Sequence, residues 1–340
     1  MIKKVEPSIM SGLRVGVLFN FPVMPSRGES ADFLADAEVE EEVEAVEDAL
    51  GNLGLQHQRF PLRESVESFV AALKSYRPDV VINLCEGAFG DSHFEMNVSS
   101  LLELLKLPYT GSPPLALGLC QDKGLTKDVL NARGISTPRY QVLDRFEDWK
   151  GELCYPLLVK PLREDSSIGI SKESFVKDDA ALKRRVDYVV ERYRQPVLLE
   201  QYIAGRELNV ALLGDTKIEA LPISEIVFTL PNEPKIVDYA AKWLKESEEY
   251  KQTVPVCPAD LDSSTRTLVE QQAVQAYTAL HCRDYARIDI RLDGKIPYVL
   301  EANPNPDISL ESGFVRSLKA AGISYEEFIQ RIIHSAQHRG

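Results

Sequence analysis

The segment Tyr285-Ala-Arg-Ile-Asp-Ile-Arg-Leu-Asp-Gly-Lys-Ile-Pro-Tyr-Val-Leu-Glu-Ala-Asn303 constrains this chain more than any other. Its alternation fits two β-strands, with Arg287 and Asp289 on one face of the first and Glu301 and Asn303 on one face of the second. Three oxygen ligands and one fixed cation then converge, as magnesium held against nucleotide phosphates requires, because hard cations take carboxylate and amide oxygens and leave positions for phosphate and water. The convergence depends on the turn. A two-residue turn at Asp293-Gly294 pairs even with odd positions and separates Asp289 from Glu301. An odd loop, for instance three residues with Gly294 left-handed, keeps them together, so the metal reading predicts an odd loop. A solvated hairpin face is the commoner outcome of an Asp-Gly turn. Against it, Ile288, Ile290, Val299 and Leu300 point to a buried sheet in which carboxylates need a partner.

At 340 residues the chain is too long for one ordinary core, and its 44% hydrophobic content fills two or three packed units. A net charge of -13 disfavours nucleic acid and anionic membrane as partners, since both repel it over a Debye length of about 8–10 Å. Cys85, Cys120, Cys154, Cys257 and Cys282 are odd in number and widely spaced, which indicates neither a disulfide framework nor a zinc site, and a reducing cytoplasmic setting fits. Lys3-Lys4 ahead of 13–21 has a faint signal-peptide look, but no small-residue cleavage site follows, and 14–19 reads better as a buried strand. No segment is apolar enough for long enough to span a membrane.

Beyond that first strand, an acidic helix is predicted over 35–53, with Val39, Val43, Val46 and Leu50 on one stripe and Glu38, Glu40, Glu41, Glu42, Glu44 and Glu47 on a solvated remainder. A buried strand over 77–84, a helix over 95–105 and a short strand over 107–112 complete a strand–helix alternation. That alternation gives α/β architecture, a small doubly wound parallel sheet at the N-terminal end. From 121 the pattern changes: a helix over 122–132, a strand over 156–161 stopped by proline, the loop 163–169, a strand to 176, a helix over 178–194 and a strand over 197–203. A third region starts near 205, with strands 207–213 and 219–223, an irregular stretch over 227–256 that is a candidate lid, and a helix over 264–280. The expected units are 1–120, 121–204 and 205–340.

Lys160 and Glu200 end two strands joined by a loop holding Ser166, Ser167 and Gly169, which would fold backbone N–H groups and hydroxyls over phosphates. A Ser/Gly loop or a strand-end lysine alone says little. Their order does: Lys123, Lys160, Ser-Ser-x-Gly, Glu200, Glu207, Lys242, then Asp289, Glu301 and Asn303. On these residues, and on segments 101–112, 121–127, 160–171, 200–207, 238–243, 286–289, 301–303 and 321–325, the chain resembles the ATP-grasp superfamily and within it the D-alanine–D-alanine ligase family.

The resemblance implies ATP and two magnesium ions, with manganese as a substitute. It implies that Lys123, Lys160 and Ser167 contact phosphates, Glu200 and the backbone near Ile203 the adenine, Glu207 the ribose, and Lys242 on the lid the γ-phosphate. Asp289, Glu301 and Asn303 would hold the metals, Arg287 would stabilise a tetrahedral intermediate, and Ser166 would join a lid network. The implied reaction activates a carboxylate as an acylphosphate, which an amine attacks to give an amide, ADP and phosphate. Small amino-acid-like substrates are the implied partners, and relatives of this kind often dimerise through the N-terminal domain.

The departures cluster where the amino acids would bind. The family's first strand runs into a glycine pair, a serine and a Glu-His motif that fixes the first substrate's ammonium; here Phe19-Asn-Phe-Pro22 leads to Met24-Pro-Ser-Arg-Gly28, and Glu29 and Glu38 are the candidates for the missing glutamate. The family's His-Gly-x-x-Gly-Glu-Asp-Gly reads Glu86-Gly-Ala-Phe-Gly-Asp91-Ser-His93. The lid tyrosine is Trp243, whose indole only donates. Asn303-Pro-Asn-Pro-Asp307-Ile-Ser-Leu-Glu-Ser312 keeps Ser312 for the second substrate's carboxylate but puts Asp307 where the family has glycine. Asp307 either binds a cationic group or caps a helix starting near Ser309. With Glu86 and Asp91, it points to an amine substrate larger or more cationic than D-alanine. The competing readings are an authentic D-alanine–D-alanine ligase, an ATP-grasp kinase that stops at the phosphorylated substrate, and a catalytically silent ATP-binding regulatory protein.

Overall fold

The computed structural model describes residues 12–24, 27–33, 39–63, 65–229 and 234–339. Strand β1 (Arg14–Asn20) is buried through its centre because both faces are covered. Helix α1 (Val39–Asn52) follows, then β2 (Gln56–Leu62), α2 (Val66–Tyr76) and β3 (Val80–Asn83). The sheet is parallel in the order β2-β1-β3, and Tyr109 extends it by a parallel bridge to Val81, so the expected doubly wound arrangement holds. The expected solvated face of α1 needs one correction. Glu42 lies on the buried side with Val39, Val43 and Val46.

Three helices lead into the second layer: α3 (Glu95–Leu104), α4 (Pro114–Gln121) and α5 (Lys123–Ala132), the last capped by Asp122 accepting from the N–H groups of Gly124 and Leu125. Strands β4 (Tyr140–Leu143), β5 (Leu157–Pro161), β6 (Phe175–Val176) and β7 (Val197–Gln201) pair antiparallel in the order β4-β7-β5-β6. Helix α6 (Asp179–Tyr193) sits between β6 and β7 in sequence and buries Leu182, Val186 and Val189 in one core with Val159 and Leu199.

The third sheet is antiparallel: β8 (Arg206–Leu213), β9 (Glu219–Ala220), β10 (Ser224–Phe228), β11 (Thr253–Val256), β12 (Tyr285–Asp293) and β13 (Ile296–Asn303), with path β11-β10-β8-β12-β13 and β9 against β8. The stretch read as irregular is partly ordered. Between β10 and β11 lie α7 (Tyr239–Trp243), capped by Asp238, and α8 (Glu248–Lys251), capped by Ser247, both too short for helical periodicity to show. Helix α9 (Ser263–Ala279) shares a core with this sheet through Val269, Ala273 and Tyr277. The last helices, α10 (Gly313–Ala320) and α11 (Tyr325–Gln337), carry Phe314, Phe328 and Ile332 back to the core of the first sheet. Among the described residues no helix is long and apolar enough to cross a membrane.

The turn between β12 and β13 is not the odd loop that the metal reading predicted. Asp293 pairs with Ile296 across the two-residue loop Gly294-Lys295, and Gly294 has φ +59°. Parity is restored further along, where the register shifts between Asp289 and Ile290: Ile290 pairs with Val299 and Asp289 with Glu301, leaving Leu300 as the extra residue of a β-bulge. The bulge brings the two carboxylates opposite each other and places Leu300 on the wall of the cleft described next.

Candidate active site

A cleft of about 460 Å3 runs between the three sheets. It gathers Glu86, Asp91, Lys123, Lys160, Ser166, Ser167, Glu200, Ile203, Glu207, Lys242, Arg287, Asp289, Glu301, Asn303, Asp307 and Ser312 along one wall or another. Trp243 is not on the wall. It stands behind it and donates its indole N–H to the Ser166 carbonyl at 2.9 Å. Glu38 lies outside the described residues.

Asp289 is buried, and period-2 spacing places Arg287 on its own face, where the guanidinium clamps both carboxylate oxygens at 2.8 and 2.9 Å. Asn209 on β8, paired with Asp289, donates at 2.7 Å, and Asn303 donates at 3.1 Å. Burial alone would push the Asp289 carboxyl up; Arg287 outweighs it and holds it below the usual range. Glu301 moves the other way, raised by burial against the pull of Lys123, with Asp289 adding to the rise. Among the described residues none donates a hydrogen bond to the Glu301 carboxylate. Two facing carboxylates with an adjacent amide, one carboxylate without a direct ion pair, fit a hard divalent cation that completes its shell with phosphate and water.

Lys160 and Lys127 grip Glu200 from two sides: Lys160 Nζ contacts Oε1, and Lys127 Nζ lies 2.9 Å from Oε2. Burial would raise the carboxyl, but the two ammonium groups hold it down at about 2. Lys123 reaches the Asp165 carboxylate at 2.8 Å and the Glu164 carbonyl. Burial opposes its charge; Asp165 and Glu301 prevail and raise it above the ordinary lysine value. Glu207 is pinned by Arg291 at 2.6 Å. Sequence reasoning missed Lys127, Asn209 and Arg291, although each repeats the period of a residue it did select: Lys127 is four after Lys123 on one helix, Asn209 two after Glu207, and Arg291 two after Asp289.

The loop after β5 is strained where it matters. Ser166 and Ser167 are left-handed at φ 54° and 60°, a conformation that costs free energy in a non-glycine residue and persists where surroundings enforce it. The enforcing contacts come from the region of α7. The Ser167 hydroxyl donates to the Val237 carbonyl at 2.8 Å, Lys242 Nζ donates to Ser166 Oγ at 3.2 Å, and the Tyr239 N–H donates to the Ile170 carbonyl at 3.0 Å. Trp243→Phe removes the indole donor to Ser166 while keeping an aromatic ring. For the ATP-dependent ligation that the sequence resemblance implies, it is expected to raise KM for ATP about fivefold and to increase ADP release relative to ligated product, as nucleotide would be hydrolysed under a looser cover. Parallel assays of ADP and product mass check this, and unchanged coupling would dissociate the indole from closure.

The far end of the cleft corrects several expectations. Glu29 does not line the cleft: it accepts from Arg192 at 2.9 Å through each oxygen and from the Tyr188 hydroxyl. Asp91 is already neutralised, paired with Arg27 at 2.9 Å and accepting from the His93 N–H. Asp307 accepts from the Ser309 N–H at 2.7 Å in a local turn, but caps no helix; the helix is α10, and its N-cap is Ser312, accepting from Val315. Glu42, absent from the expected site, reaches this end from behind and accepts from the Ile308 N–H at 3.1 Å. Burial, then the Asp307 and Glu86 charges, then a hydrogen bond shared with Asp307, push the Glu42 carboxyl well above the usual range. Glu95, buried at the head of α3, is pushed up by burial and by Asp165 and Glu86.

An antiparallel four-stranded sheet and an antiparallel six-stranded sheet facing each other across a lysine- and carboxylate-lined cleft, with a parallel N-terminal sheet alongside, define an ATP-grasp enzyme. Residues 129–334 match the family described as D-ala D-ala ligase C-terminus. The D-alanine–D-alanine ligase of Nitrosospira multiformis is 35% identical over 315 residues, 90% of this chain and 96% of that protein. The uncharacterized protein y4sG of Sinorhizobium fredii is 38% identical over 261 residues, 76% of this chain and 75% of its own length. The crystal structure of the Bacillus anthracis D-alanine–D-alanine ligase complexed with ATP superposes with a TM-score of 0.75 at 26% identity, covering 96% of this chain and 97% of that one. The chain belongs to the D-alanine–D-alanine ligase family and is an ATP-dependent ligase of the ATP-grasp type.

Proposed function

We propose that this ligase activates the carboxylate of one amino-acid-like substrate with ATP and joins it to an amine that is larger or more cationic than D-alanine. The observation that carries the substrate reading is the acidic end of the cleft. Asp307 stands where the family has glycine, Glu86 stands where the family has histidine, and Glu42 backs them from α1. Asp91 is paired with Arg27, so Asp307 and Glu86 carry the acidic character on the cleft wall, and Glu42 and Glu95 add to it as they ionise.

In this reading Lys123, Lys160, Lys242 and Ser167 bind phosphate oxygens, Glu200 and the Ile203 backbone meet the base, and Glu207, held by Arg291, meets the ribose. Asp289, Glu301 and Asn303 would hold magnesium, which when bound neutralises charge on the transferring phosphoryl group. Arg287 faces the cleft from the same strand as Asp289 and would stabilise the oxyanion formed when the amine attacks. Ser312, at the N-terminus of α10, would take the second substrate's carboxylate, a placement favoured by the helix N–H groups and the dipole. Segment 227–256, tied to the serine loop through Trp243, Lys242 and Tyr239, would exclude water from the acylphosphate. The proposed units remain 1–120, 121–204 and 205–340.

The test is ADP release with magnesium-ATP over pairs of D- and L-amino acids, including cationic and β-amino ones, with product masses read directly. A mass equal to two substrates less water, obtained best with a cationic amine, is the expected result. Turnover of D-alanine alone at ordinary ligase rates would defeat the substrate claim and leave the ligase. A pH dependence follows from the same groups. Glu42 and Glu95 titrate above the ordinary carboxylate range in the empty cleft, so a cationic amine binds better once they ionise. Its KM should fall as pH rises through the range in which these two carboxyls ionise, with protons released on binding below that range, measurable by calorimetry in buffers of different ionisation enthalpy.

A further inference from the structure

Of the two ammonium groups that hold Glu200, one faces the cleft and the other does not. Lys160 lies on the cleft wall. Lys127 has no exposure at all, is absent from the wall, and sits under it with its Nζ 2.9 Å from Glu200 Oε2 and 2.8 Å from Thr137 Oγ1. Thr137 in turn donates to the Val299 carbonyl at 2.8 Å, next to the bulge that sets Glu301 in place. Lys127 is therefore fixed from both sides, while Lys160 reaches Glu200 from the cleft wall, where a phosphate can compete for it.

This asymmetry has a consequence for the nucleotide-bound protein. When Lys160 leaves Glu200 for a phosphate oxygen, Oε1 becomes an unoccupied acceptor at the cleft, and the buried carboxylate retains a single countercharge. We propose that Lys127 is a positioning residue for base recognition: it keeps Glu200 ionised and oriented after Lys160 has been drawn away, so that Oε1 can accept from the 6-amino group of adenine. The proposal rests on the reading that Glu200 meets the base. Burial alone would raise the Glu200 carboxyl, and an uncharged, protonated Glu200 would present a donor as readily as an acceptor, losing discrimination between an amino and an oxo group at that position.

Lys127→Met separates this role from packing. In the empty protein it leaves a neutral Glu200–Lys160 pair, whereas in the nucleotide-bound protein Glu200 loses both partners, so the penalty falls on nucleotide binding. The experiment compares ATP with inosine triphosphate, which has oxygen in place of the 6-amino group, in wild-type and variant enzyme. Wild type is expected to prefer ATP. Lys127→Met is expected to raise KM for ATP at least about tenfold, with kcat changed by no more than about threefold, and to collapse the preference. Lys127→Arg should restore most of it. Thr137→Val, which frees Lys127 Nζ on one side, should shift the preference in the same direction by about two- to threefold, and it serves as the test if Lys127→Met fails to fold. A wild-type enzyme that uses both nucleotides equally overturns the base reading and this proposal with it. A wild type that prefers ATP, with variants that lose kcat or stability but keep the preference, overturns the proposal alone.

Discussion

Asp289→Asn is expected to lower kcat/KM for ligation about a thousandfold or more, and to raise the magnesium concentration needed for half-maximal rate. The substitution keeps volume and one acceptor oxygen, so the Arg287 Nε and Asn209 donors to Oδ1 still find a partner at the centre of the cluster. What it removes is one of only two carboxylates that face each other across the bulged hairpin. A divalent cation would be left with Glu301 and neutral oxygens, a poor set for a hard ion in competition with water. Arg287→Met is the companion. It keeps both carboxylates, so in the role proposed for Arg287 it should reduce kcat by about a hundred- to a thousandfold through the lost oxyanion donor; because Arg287 also holds both Asp289 oxygens, the magnesium requirement should move less than in Asp289→Asn. Product mass, ADP release and a magnesium titration on the same preparations distinguish the two. An Asp289→Asn enzyme within tenfold of wild type at saturating magnesium, melting at the wild-type temperature, would remove Asp289 from the metal site.

The hairpin shows how far period-2 reasoning reaches and where it stops. Alternation placed Arg287 and Asp289 on one face, and the same spacing would have added Arg291, because a strand's faces depend on nothing beyond the strand itself. The pairing partner is another matter. Two adjacent apolar residues, Val299 and Leu300, read as a buried run, yet one of them is the bulge that makes a two-residue turn compatible with facing carboxylates. The parallel sheet was legible for the same local reason, through β1, β3 and α1. By contrast β2, half exposed at a sheet edge, and the capped short helices α7 and α8 left too little pattern to read. Charges resisted reading most. Glu42 looks like its solvated neighbours on an acidic helix, and its burial is decided by Ile308 and Asp307, some 266 positions away. Lys127 looks like any helix lysine, and only the arrival of Glu200 from β7 makes it part of a buried ion cluster.

That cluster gives the largest expected effect on stability. Glu200→Gln leaves Lys127, with no exposure, and Lys160, 8% exposed, facing a neutral amide. Breaking a buried ion pair by removing one partner costs about 3–5 kcal/mol, because the remaining charge keeps its desolvation penalty without its attraction. Here two like charges remain, so the upper part of that range, about 4–5 kcal/mol, applies, corresponding for 340 residues to a fall in melting temperature of roughly 6–7 °C. The pH dependence has a definite sign. Glu200 titrates at about 2 in the folded protein against 4.5 for the free side chain, so its contribution is fully present above about pH 4.5 and is lost as pH falls towards 2. The gap between wild type and Glu200→Gln should accordingly close in acid. Adding Lys127→Met to Glu200→Gln should recover more than half of the lost stability, since it removes one stranded charge, and the coupling energy of that cycle measures the pair. A Glu200→Gln protein that melts within about 2 °C of wild type at pH 7 would mean that water, and not Glu200, screens the two ammonium groups; the buried triad would then contribute nothing to folding.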